Sequence, residues 1–508
     1  MKRSAGILIP LFSLNTRDDL GSGEILDLKE MIDFALAMGH RMILLLPLDE
    51  RAPGERSPYS ALSVFAIDPA YISALMLRGV GPLARMHARH EARSAAGTDI
   101  RLREAKRKLL DKAFEAGRRE HRREFEEFAG RNAYWLRDYA LFRALKDRYR
   151  WASWEEWPAE IARREPDALE AARGELELDA ERHSYWQFIA NQQFLMTRAY
   201  AASHGAMLGG DLAFSPSRES AEVWANQHIF DLSRTIGTPP DAFTEKGQRW
   251  GLPMPRWDVM RADGFAFLRG RIRRAAALYD FIRIDHVVGL YRTFVFGADP
   301  EAPGSFVPAH EDQQRDLGES TMRAILEEAG KGRVIAEDLG TVPPWVRQSL
   351  TALGVPGYTV MQWERENWHA PQEKFLSPSS YPELSLATTG THDTETLIEW
   401  WDRQPEEERR RLADALGIDG RAPADAPLNR PTLDAILESL YAAPSRMVVL
   451  PIQDLFGWRD RINLPGTVGD LNWTYRLPKP ISKLRREPLI QSRIEELREI
   501  AQRTGRFG

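Results

Sequence analysis

The sequence predicts an α/β fold, a (β/α)8 TIM barrel with a large helical insertion between strands 2 and 3. Three observations predict it: short apolar runs recur along the chain, segments of helical pattern separate them, and one long charged stretch interrupts the alternation. The apolar runs number eight and lie at residues 6–12, 41–50, 205–214, 281–287, 332–340, 358–363, 386–393 and 446–456.

The apolar runs indicate buried parallel strands. Their residues are apolar on both faces of the strand, which is typical of strands covered by helices on each side. Helical patterns between the runs, such as residues 24–40, 265–280 and 320–332, supply those helices. Eight such strand–helix units suggest a closed barrel, and the polar residues at the strand ends then lie at its mouth, where barrel enzymes carry their active sites.

Residues 83–200 form the stretch that breaks the alternation. They are highly charged and helical in pattern, so we expect a helical insertion subdomain between two barrel segments, residues 1–82 and 201–508. The charge runs of the insertion are interpreted as solvated helix faces. Its aromatic residues, which recur at helical spacing from Trp135 to Phe142, are interpreted as core and not as a ligand platform.

The composition excludes several functional classes. The chain has 508 residues, and at 43% hydrophobic and 28% charged it has ample material for a core. Its 69 basic and 74 acidic residues give a net charge of -5, so bulk charge attracts neither nucleic acid nor an anionic membrane. The absence of cysteine excludes disulfides, thiolate metal sites and cysteine nucleophiles together.

The N-terminal stretch "MKRSAGILIPLFSL" imitates a secretion signal, because two basic residues precede an apolar run. That run is short, contains Pro10 and continues into polar residues without a small-residue cleavage site. No apolar run in the chain approaches the roughly 20 residues that a membrane span requires. We therefore interpret the stretch as the first core strand of a cytoplasmic protein.

Three carboxylates end predicted strands: Asp285 the fourth, Glu337 the fifth and Asp393 the seventh. At the mouth of a barrel they would repel one another unless a substrate, a proton or a cation intervened. Glycoside chemistry needs such a set, since retaining enzymes place a nucleophilic carboxylate about 5–5.5 Å from a protonated acid. Arg283 projects from the same strand face as Asp285, and we expect it to keep that aspartate ionised and oriented.

Two other interpretations use the same side chains. His286 and His392 each adjoin one of the acids, and histidine with carboxylate suits Zn²⁺ or Fe²⁺, so spacing alone leaves a metal-dependent hydrolase open. Each acid could instead cap a helix or form a structural salt bridge, and His286 could be purely structural.

Further motifs occur in a fixed order along the chain. They are "SPYSALSVFAIDP" (57–69), "WLRDYALFRALK" (135–146), "GQRWGLP" (247–253), "RIDH" (283–286), "AEDLG" (336–340), "GTHDTET" (390–396), "NLPGT" (463–467) and "NW" (472–473). In these motifs the sequence resembles the 4-α-glucanotransferase family, the amylomaltases or disproportionating enzymes, over nearly its whole length. The resemblance implies retaining transfer of glucosyl or maltosyl units between α-1,4-glucans. An α-glucan hydrolase with the same acids and a catalytically silent glucan-binding protein remain alternatives.

The resemblance also implies the catalytic roles. Asp285 matches the family's nucleophile, Glu337 its general acid/base, and Asp393 the carboxylate that stabilises the transition state and holds sugar hydroxyls. It implies no metal and no cofactor, with maltooligosaccharides and α-1,4-glucans as partners and neither nucleic acid nor membrane. The oligomeric state stays open.

Four substrate-binding positions surround the donor sugar in this resemblance. Arg283 and His392 match residues hydrogen-bonded around the cleaved glucose, and Tyr59 matches an aromatic that stacks on the donor sugar. Asp211 matches an invariant acid after the third strand. Tyr59 could instead belong to the core, and Asp211 could cap the following helix.

Four further positions lie in loops. Gln248 and Trp250 match a flexible loop that closes over the acceptor side, expected here over residues 243–257, although Trp250 could simply anchor that loop. Asn463 and Pro465, in "NLPGT", are matched to substrate-binding positions of the same family.

Three departures from the bacterial pattern bear on chain-length preference. Residues 43–45 are Ile-Leu-Leu where the family usually has Trp-Gln, 287–288 are Val-Val in place of Phe-Arg, and 394–395 are Thr-Glu. These departures leave the three acids unchanged. Other stretches look closer to the plant cytosolic disproportionating type and its bacterial relatives, which often carry N-terminal starch-binding modules. Because the barrel is expected to begin by residue 6, we expect no such modules here.

Overall fold

The computed structural model describes residues 3–93, 99–240, 247–299, 302–366, 374–418, 425–467, 469 and 471–507. The strands in these ranges are β1 (Ser4–Leu8), β2 (Met42–Leu44), β3 (Asp49–Arg51), β4 (Ala61–Ile67), β5 (Met207–Leu212), β6 (Phe230–Thr238), β7 (Gln248–Pro255), β8 (Phe281–Ile284), β9 (Thr293–Phe296), β10 (Ser305–Val307), β11 (Val334–Ala336), β12 (Gly357–Val360), β13 (Ser385–Thr388) and β14 (Met447–Pro451).

The α-helices in the same ranges are α1 (Leu28–Ala37), α2 (Pro82–Arg93), α3 (Asp99–Gly117), α4 (Arg122–Arg131), α5 (Ala133–Arg148), α6 (Ala159–Ala162), α7 (Pro166–Glu175), α8 (Glu177–Ser203), α9 (Ala221–Ala225), α10 (Trp257–Ala262), α11 (Ala266–Leu278), α12 (Val288–Tyr291), α13 (Glu311–Ala329), α14 (Pro344–Ala352), α15 (Leu397–Arg403), α16 (Glu406–Leu416), α17 (Arg430–Ala442), α18 (Ile452–Phe456), α19 (Ile481–Leu484) and α20 (Pro488–Arg503). The 3₁₀ turns described are Leu11–Ser13, Ile25–Asp27, Pro69–Tyr71, Ala74–Met76, Trp154–Glu156, Gln227–Ile229 and Pro378–Ser380.

Eight of the described strands form one parallel sheet in the order β11-β8-β5-β2-β1-β14-β13-β12. That order follows the chain around a ring, so each strand neighbours the preceding and the following barrel strand. The backbone N–H of Ala336, at the end of β11, donates to the carbonyl of Pro356, just before β12, at 2.9 Å. This bond brings the two outer strands together, and the predicted (β/α)8 barrel is confirmed. Each of the eight predicted runs overlaps one barrel strand.

The barrel strands are buried on both faces, as their apolar runs predict. Every residue of β1, β8 and β14 is buried. Strand β5 needs glycine at two positions, because a Cβ on Gly209 would lie 2.1 Å from the ring of Phe281 and one on Gly210 would lie 2.2 Å from the ring of Tyr279. The two glycines therefore allow aromatic side chains to pack directly against the strand.

The surrounding helices pack apolar faces on this sheet. In α1, residues Leu28, Met31, Ile32 and Ala35 recur at helical spacing and are buried. Burying a Leu, Ile or Met side chain contributes about 1.5–3 kcal/mol. The periodicity of residues 24–40 therefore reflects a helix held to the barrel by one face.

Helices α2 to α8 lie between β4 and β5, in the segment where the sequence predicts an insertion. The long helix α8 packs against α5, and the aromatic side chains at helical spacing in α5 (Trp135, Tyr139 and Phe142) are buried. Lys106 of α3 connects this layer to the barrel. Its Nζ is 2.5 Å from Oε1 of the buried Glu24 and 2.5 Å from the carbonyl oxygen of Ile72.

A second sheet, antiparallel and ordered β10-β9-β6-β7, covers part of the mouth. Residues 248–255 of the expected closing loop 243–257 form β7, because they pair with β6 from Gln248 opposite Thr238 to Pro255 opposite Phe230. Residues 243–246 of that loop lie outside the described ranges. Across the ranges that the structure describes, no helix is both long enough and apolar enough to cross a membrane.

Candidate active site

The backbone brings Asp285 and Glu337 side by side at the mouth. Asp285 follows the last residue of β8, and Glu337 follows the last residue of β11, its neighbour in the barrel. The N–H of Glu337 donates to the carbonyl of Ile284 at 3.0 Å, and the N–H of Val287 donates to the carbonyl of Glu337 at 3.0 Å. The ladder between these strands therefore continues through both acids and fixes their relative position.

Arg283 is the cation that these acids share. Its Nη1 lies 2.7 Å from both carboxylate oxygens of Asp211 and 2.8 Å from Oδ1 of Asp285, while its Nη2 lies 4.0 Å from Oε2 of Glu337. Its side chain is 5% exposed. The predicted Arg283–Asp285 pair is present, and Asp211 joins it because Asp211 of β5 lies opposite Arg283 in the sheet register.

Two backbone N–H groups hold the carboxylate of Glu337. The N–H of His286 donates to Oε2 at 2.7 Å, and the N–H of Leu339 donates to Oε1 at 2.9 Å. His286 has a left-handed backbone with φ of 48°, which is uncommon for a residue other than glycine.

Asp393 lies between β13 and α15 and has its own partners. Asn463 Nδ2 donates to Oδ1 of Asp393 at 2.6 Å, and Nε2 of His392 lies 3.2 Å from Oδ2. The Asp393 side chain is 42% exposed, so it faces the open mouth. Pro465 lies two residues beyond Asn463 in an exposed turn.

An aromatic wall, formed by Tyr59, His392 and Trp473, faces the acids. The rings of Tyr59 and His392 are stacked with centroids 5.2 Å apart and planes 17° apart, and Trp473 lies 5.8 Å from each. The hydroxyl of Tyr59 donates to Oδ2 of Asp211 at 2.6 Å. The wall therefore connects to Arg283 through Asp211.

Trp250 reaches the site through His286. Its ring meets the imidazole edge to face at 4.9 Å, and Phe214 meets the same imidazole at 5.6 Å. Gln248 Oε1 accepts a long hydrogen bond of 3.4 Å from Trp250 Nε1. Burial lowers the pKa of His286 to about 4, so this imidazole is neutral near neutral pH and packs as an aromatic side chain.

The acids differ in pKa for identifiable reasons. Burial, opposed by Arg283 and reinforced by Asp285, raises the pKa of Glu337 to about 7. Burial also raises the pKa of Asp285 to about 6, with Arg283 opposing. Desolvation also opposes ionisation of Asp393, although this carboxylate is partly open to solvent, but His392 and Asn463 outweigh it and lower its pKa to about 2. The order of these pKa values favours the proton on Glu337 over Asp285, while Asp393 is ionised.

This arrangement supplies the parts of a retaining glycosidic transfer: an oriented carboxylate, a neighbouring acid that holds its proton, and a third, ionised carboxylate. The two carboxylates beside one guanidinium suit the short separation of retaining enzymes, about 5–5.5 Å. Among the described residues, no three His, Asp or Glu side chains are grouped so as to hold a metal ion.

Comparison with known proteins agrees with this chemistry. The sequence profile described as 4-alpha-glucanotransferase matches residues 9–482. The chain belongs to the 4-alpha-glucanotransferase family. It is 30% identical to the 4-alpha-glucanotransferase of Chlamydia pneumoniae, over 94% of this chain and 92% of that protein. It is 32% identical to that of Thermus thermophilus, over 88% and 90%.

The fold is likewise that of solved amylomaltases. The amylomaltase from Streptococcus agalactiae in complex with acarbose superposes with a TM-score of 0.84 and 27% identity, covering 99% of this chain and 100% of that one. Amylomaltase from Corynebacterium glutamicum, at 22% identity and TM-score 0.79 over 97% of this chain and 75% of that one, shares the fold.

Sequence reasoning named most residues that meet at the mouth but missed three. Trp473 is the second residue of "NW", a motif that assigns it no role, although it completes the aromatic wall. Tyr358 of β12 lies under the Arg283 guanidinium at 5.4 Å, and Arg461 donates to the carbonyl of Asp393 at 3.2 Å. Only the first had a sequence signal, since a strand tyrosine and a loop arginine are unremarkable in isolation.

Proposed function

We propose that the chain, as a member of this family, moves glucosyl or maltosyl units between α-1,4-glucans by double displacement, with Asp285 as nucleophile and Glu337 as general acid/base. One observation carries the assignment. Arg283 contacts Asp285 directly and lies 4.0 Å from Glu337, while burial leaves the pKa of Glu337 above that of Asp285.

In the first step, Glu337 gives its proton to the glycosidic oxygen as the carbon–oxygen bond breaks. The carboxylate of Asp285 attacks the anomeric carbon from the opposite face and forms a β-linked glycosyl ester. The reducing-end portion of the donor leaves with the proton. Arg283 holds Asp285 ionised and aimed, which supplies orientation before the reaction begins.

In the second step, the ionised Glu337 removes the proton from the 4-hydroxyl of an acceptor sugar. The hydroxyl oxygen attacks the anomeric carbon, the ester bond to Asp285 breaks, and an α-1,4 bond forms again. Two inversions give net retention, and Glu337 ends protonated as it began.

Asp393 and the aromatic wall bind the sugar in this proposal. Positive charge develops on the reacting ring in the transition state, and the ionised Asp393, fixed by Asn463 and His392, stabilises it. The rings of Tyr59 and Trp473 offer apolar faces on which the donor sugar packs.

The substrate class follows from the family and from one solved relative. The Streptococcus agalactiae amylomaltase was solved with acarbose, and we propose maltooligosaccharides and α-1,4-glucans as the partners of this chain. The predicted cytoplasmic location and the predicted independence of cofactors remain proposals, and insensitivity of activity to a chelator would support the latter.

The test is incubation with pure maltotriose and, separately, with maltose, followed by chromatography over time. A ladder of longer and shorter maltooligosaccharides is expected, because a sugar hydroxyl resolves the ester. Glucose that accumulates without longer chains would make water the acceptor and the chain a hydrolase. The variant Asp285→Asn should lose nearly all turnover while keeping its circular dichroism spectrum, and retained activity would refute the assignment of the nucleophile.

A further inference from the structure

A cleft of about 820 Å³ lies directly behind the aromatic wall. Trp473 lines it, and the same ring lies 5.8 Å from His392 on the catalytic side. We call it the basic cleft, because six cationic side chains line it: Arg17, Arg51, Arg56, Arg89, Arg476 and Lys483.

The acids near the basic cleft do not balance these cations. Asp99 is the only acidic residue among the described residues that line the cleft, and it pairs with Arg51 at 3.9 Å and with Arg103 at 2.5 Å. Behind the lining, the buried Asp19 pairs with Arg476 at 2.7 Å and the buried Asp68 pairs with Arg51 at 3.3 Å. Among the described residues, the positive surplus of the lining therefore comes from Arg17, Arg89 and Lys483, in a chain whose net charge is -5.

Three of the cations have no ion-pair partner in the described part of the chain. No described carboxylate lies within 4.0 Å of Arg17, Arg89 or Lys483. Arg89 is fixed in place, since its Nε donates to the carbonyl of Asp19 at 2.8 Å, whereas Arg17 and Lys483 are exposed. Cations grouped in a concave site raise the local concentration of anions.

A phosphate group fits this chemistry better than a neutral sugar does. Guanidinium groups present paired N–H donors that match phosphate oxygens, and such charge-assisted bonds are about twice as strong as neutral ones. Recognition of an uncharged glucan needs no such surplus of cations. Because Trp473 lines the basic cleft and also lies beside His392, a phosphate in the cleft would be next to a sugar bound on the catalytic side.

We propose that the basic cleft binds the phosphate of a phosphorylated sugar beside the donor end of the active site. The identity of the sugar rests on the proposed function, whereas recognition of the phosphate rests on the charge of the cleft alone. The phosphate comes either from a phosphorylated glucan chain that extends past Trp473 or from a free sugar phosphate.

Calorimetric titration with glucose 6-phosphate, and with glucose as the neutral control, tests the binding without any turnover. We expect glucose 6-phosphate to bind at least about tenfold more tightly than glucose. Added salt should weaken this binding. The double variant Arg17→Gln, Lys483→Gln should weaken that binding by about tenfold, which corresponds to about 1.4 kcal/mol of binding free energy. The matched control Arg137→Gln, Lys331→Gln removes two exposed cations outside the cleft and should bind as the wild type does.

Transfer from a phosphorylated maltodextrin, compared with the same maltodextrin after phosphatase treatment, distinguishes the two sources. A higher kcat/KM for the phosphorylated donor, lost in Arg17→Gln, Lys483→Gln, identifies the chain-borne phosphate. If calorimetry shows binding but the phosphorylated donor has no higher kcat/KM, the ligand is a free sugar phosphate. If neither binding nor preference is seen, or if the cleft variant matches the control, the proposal is overturned. Turnover of neutral maltotriose, expected to be unchanged in both variants, reports separately on the proposed function.

Discussion

Arg283 allows three carboxylates to occupy one end of the barrel. Asp211, Asp285 and Glu337 all lie within 4.0 Å of its guanidinium nitrogens. Removal of one partner from a buried ionic cluster leaves uncompensated charge and costs about 3–5 kcal/mol. The same guanidinium therefore stabilises the fold and orients Asp285, the proposed nucleophile.

We expect Arg283→Lys to lower kcat by about 100-fold, because an ammonium group cannot bind Asp211 and Asp285 in the fixed geometry of a guanidinium. Steady-state transfer from maltotriose measures the effect. Arg143→Lys is a matched control, since Arg143 of the insertion helix α5 is also buried and pairs with Glu50 of β3 at 2.8 Å. Equal losses of activity in the two variants would argue that Arg283 acts only through stability.

The pH dependence of kcat/KM follows from the pair of acids. Asp285 must be ionised and Glu337 protonated, so activity should rise with pH through about 6 and fall through about 7. The two apparent pKa values of this profile belong to the coupled pair and not to either residue alone. With an α-glucosyl fluoride donor, whose leaving group needs no proton, the fall at higher pH should disappear. An unchanged alkaline limb with this donor would contradict the role of Glu337.

At the scale of elements, the strands were predictable and several contacts between them were not. Runs apolar on both faces predicted every barrel strand, and the polar ends of β8 and β11 predicted Asp285 and Glu337. Strand β7 was expected to be a loop, because glycine and proline in "GQRWGLP" are loop signals and only its pairing with β6 makes it a strand. Trp473 contacts Tyr59 through tertiary packing. No periodic pattern in a single sequence predicts such a contact.

The junction between α3 and the barrel gives a stability prediction. Lys106 and Glu24 are each about 2% exposed in their side chains and lie 2.5 Å apart, so Lys106→Met should reduce the free energy of unfolding by about 3–5 kcal/mol. Lys108→Met is the control on the same helix, because Lys108 pairs with Glu91 on the surface and its loss should cost about 1 kcal/mol or less. Urea unfolding measures both, and equal effects would contradict the account.

At the scale of the whole molecule, several buried acids hold protons that the unfolded chain would release. Burial raises the pKa of Asp27 to about 8, of Glu222 to about 7 and of Glu337 to about 7. At these three acids the folded state therefore binds more protons than the unfolded state between about pH 4.5 and pH 7, and at Asp27 up to about pH 8. Their contribution to the free energy of unfolding falls as the pH rises through that window.

Glu222→Gln tests this linkage away from the active site. Glu222 accepts hydrogen bonds through Oε1 from Ser63 Oγ at 2.6 Å and through Oε2 from the N–H of Val64 at 3.1 Å. In glutamine the amide oxygen can accept from Val64, while the amide NH2 donates to the hydroxyl oxygen of Ser63. The variant should make the fall in stability with pH shallower, by up to about 1.4 kcal/mol per pH unit. Urea unfolding at pH 5 and pH 8 measures the change, and an identical slope in wild type and variant would refute it.

The most direct test of the central claim, that Asp285 forms a covalent glycosyl ester, uses Glu337→Gln with α-glucosyl fluoride. Fluoride leaves without a proton, so the ester should still form. Transfer of the glucosyl group from the ester to an acceptor should be slow, because residue 337 can no longer act as a base. Intact-protein mass spectrometry should show one added glucosyl unit, and peptide mapping should place it on Asp285. Release of fluoride with no adduct, or an adduct on another residue, would contradict the account.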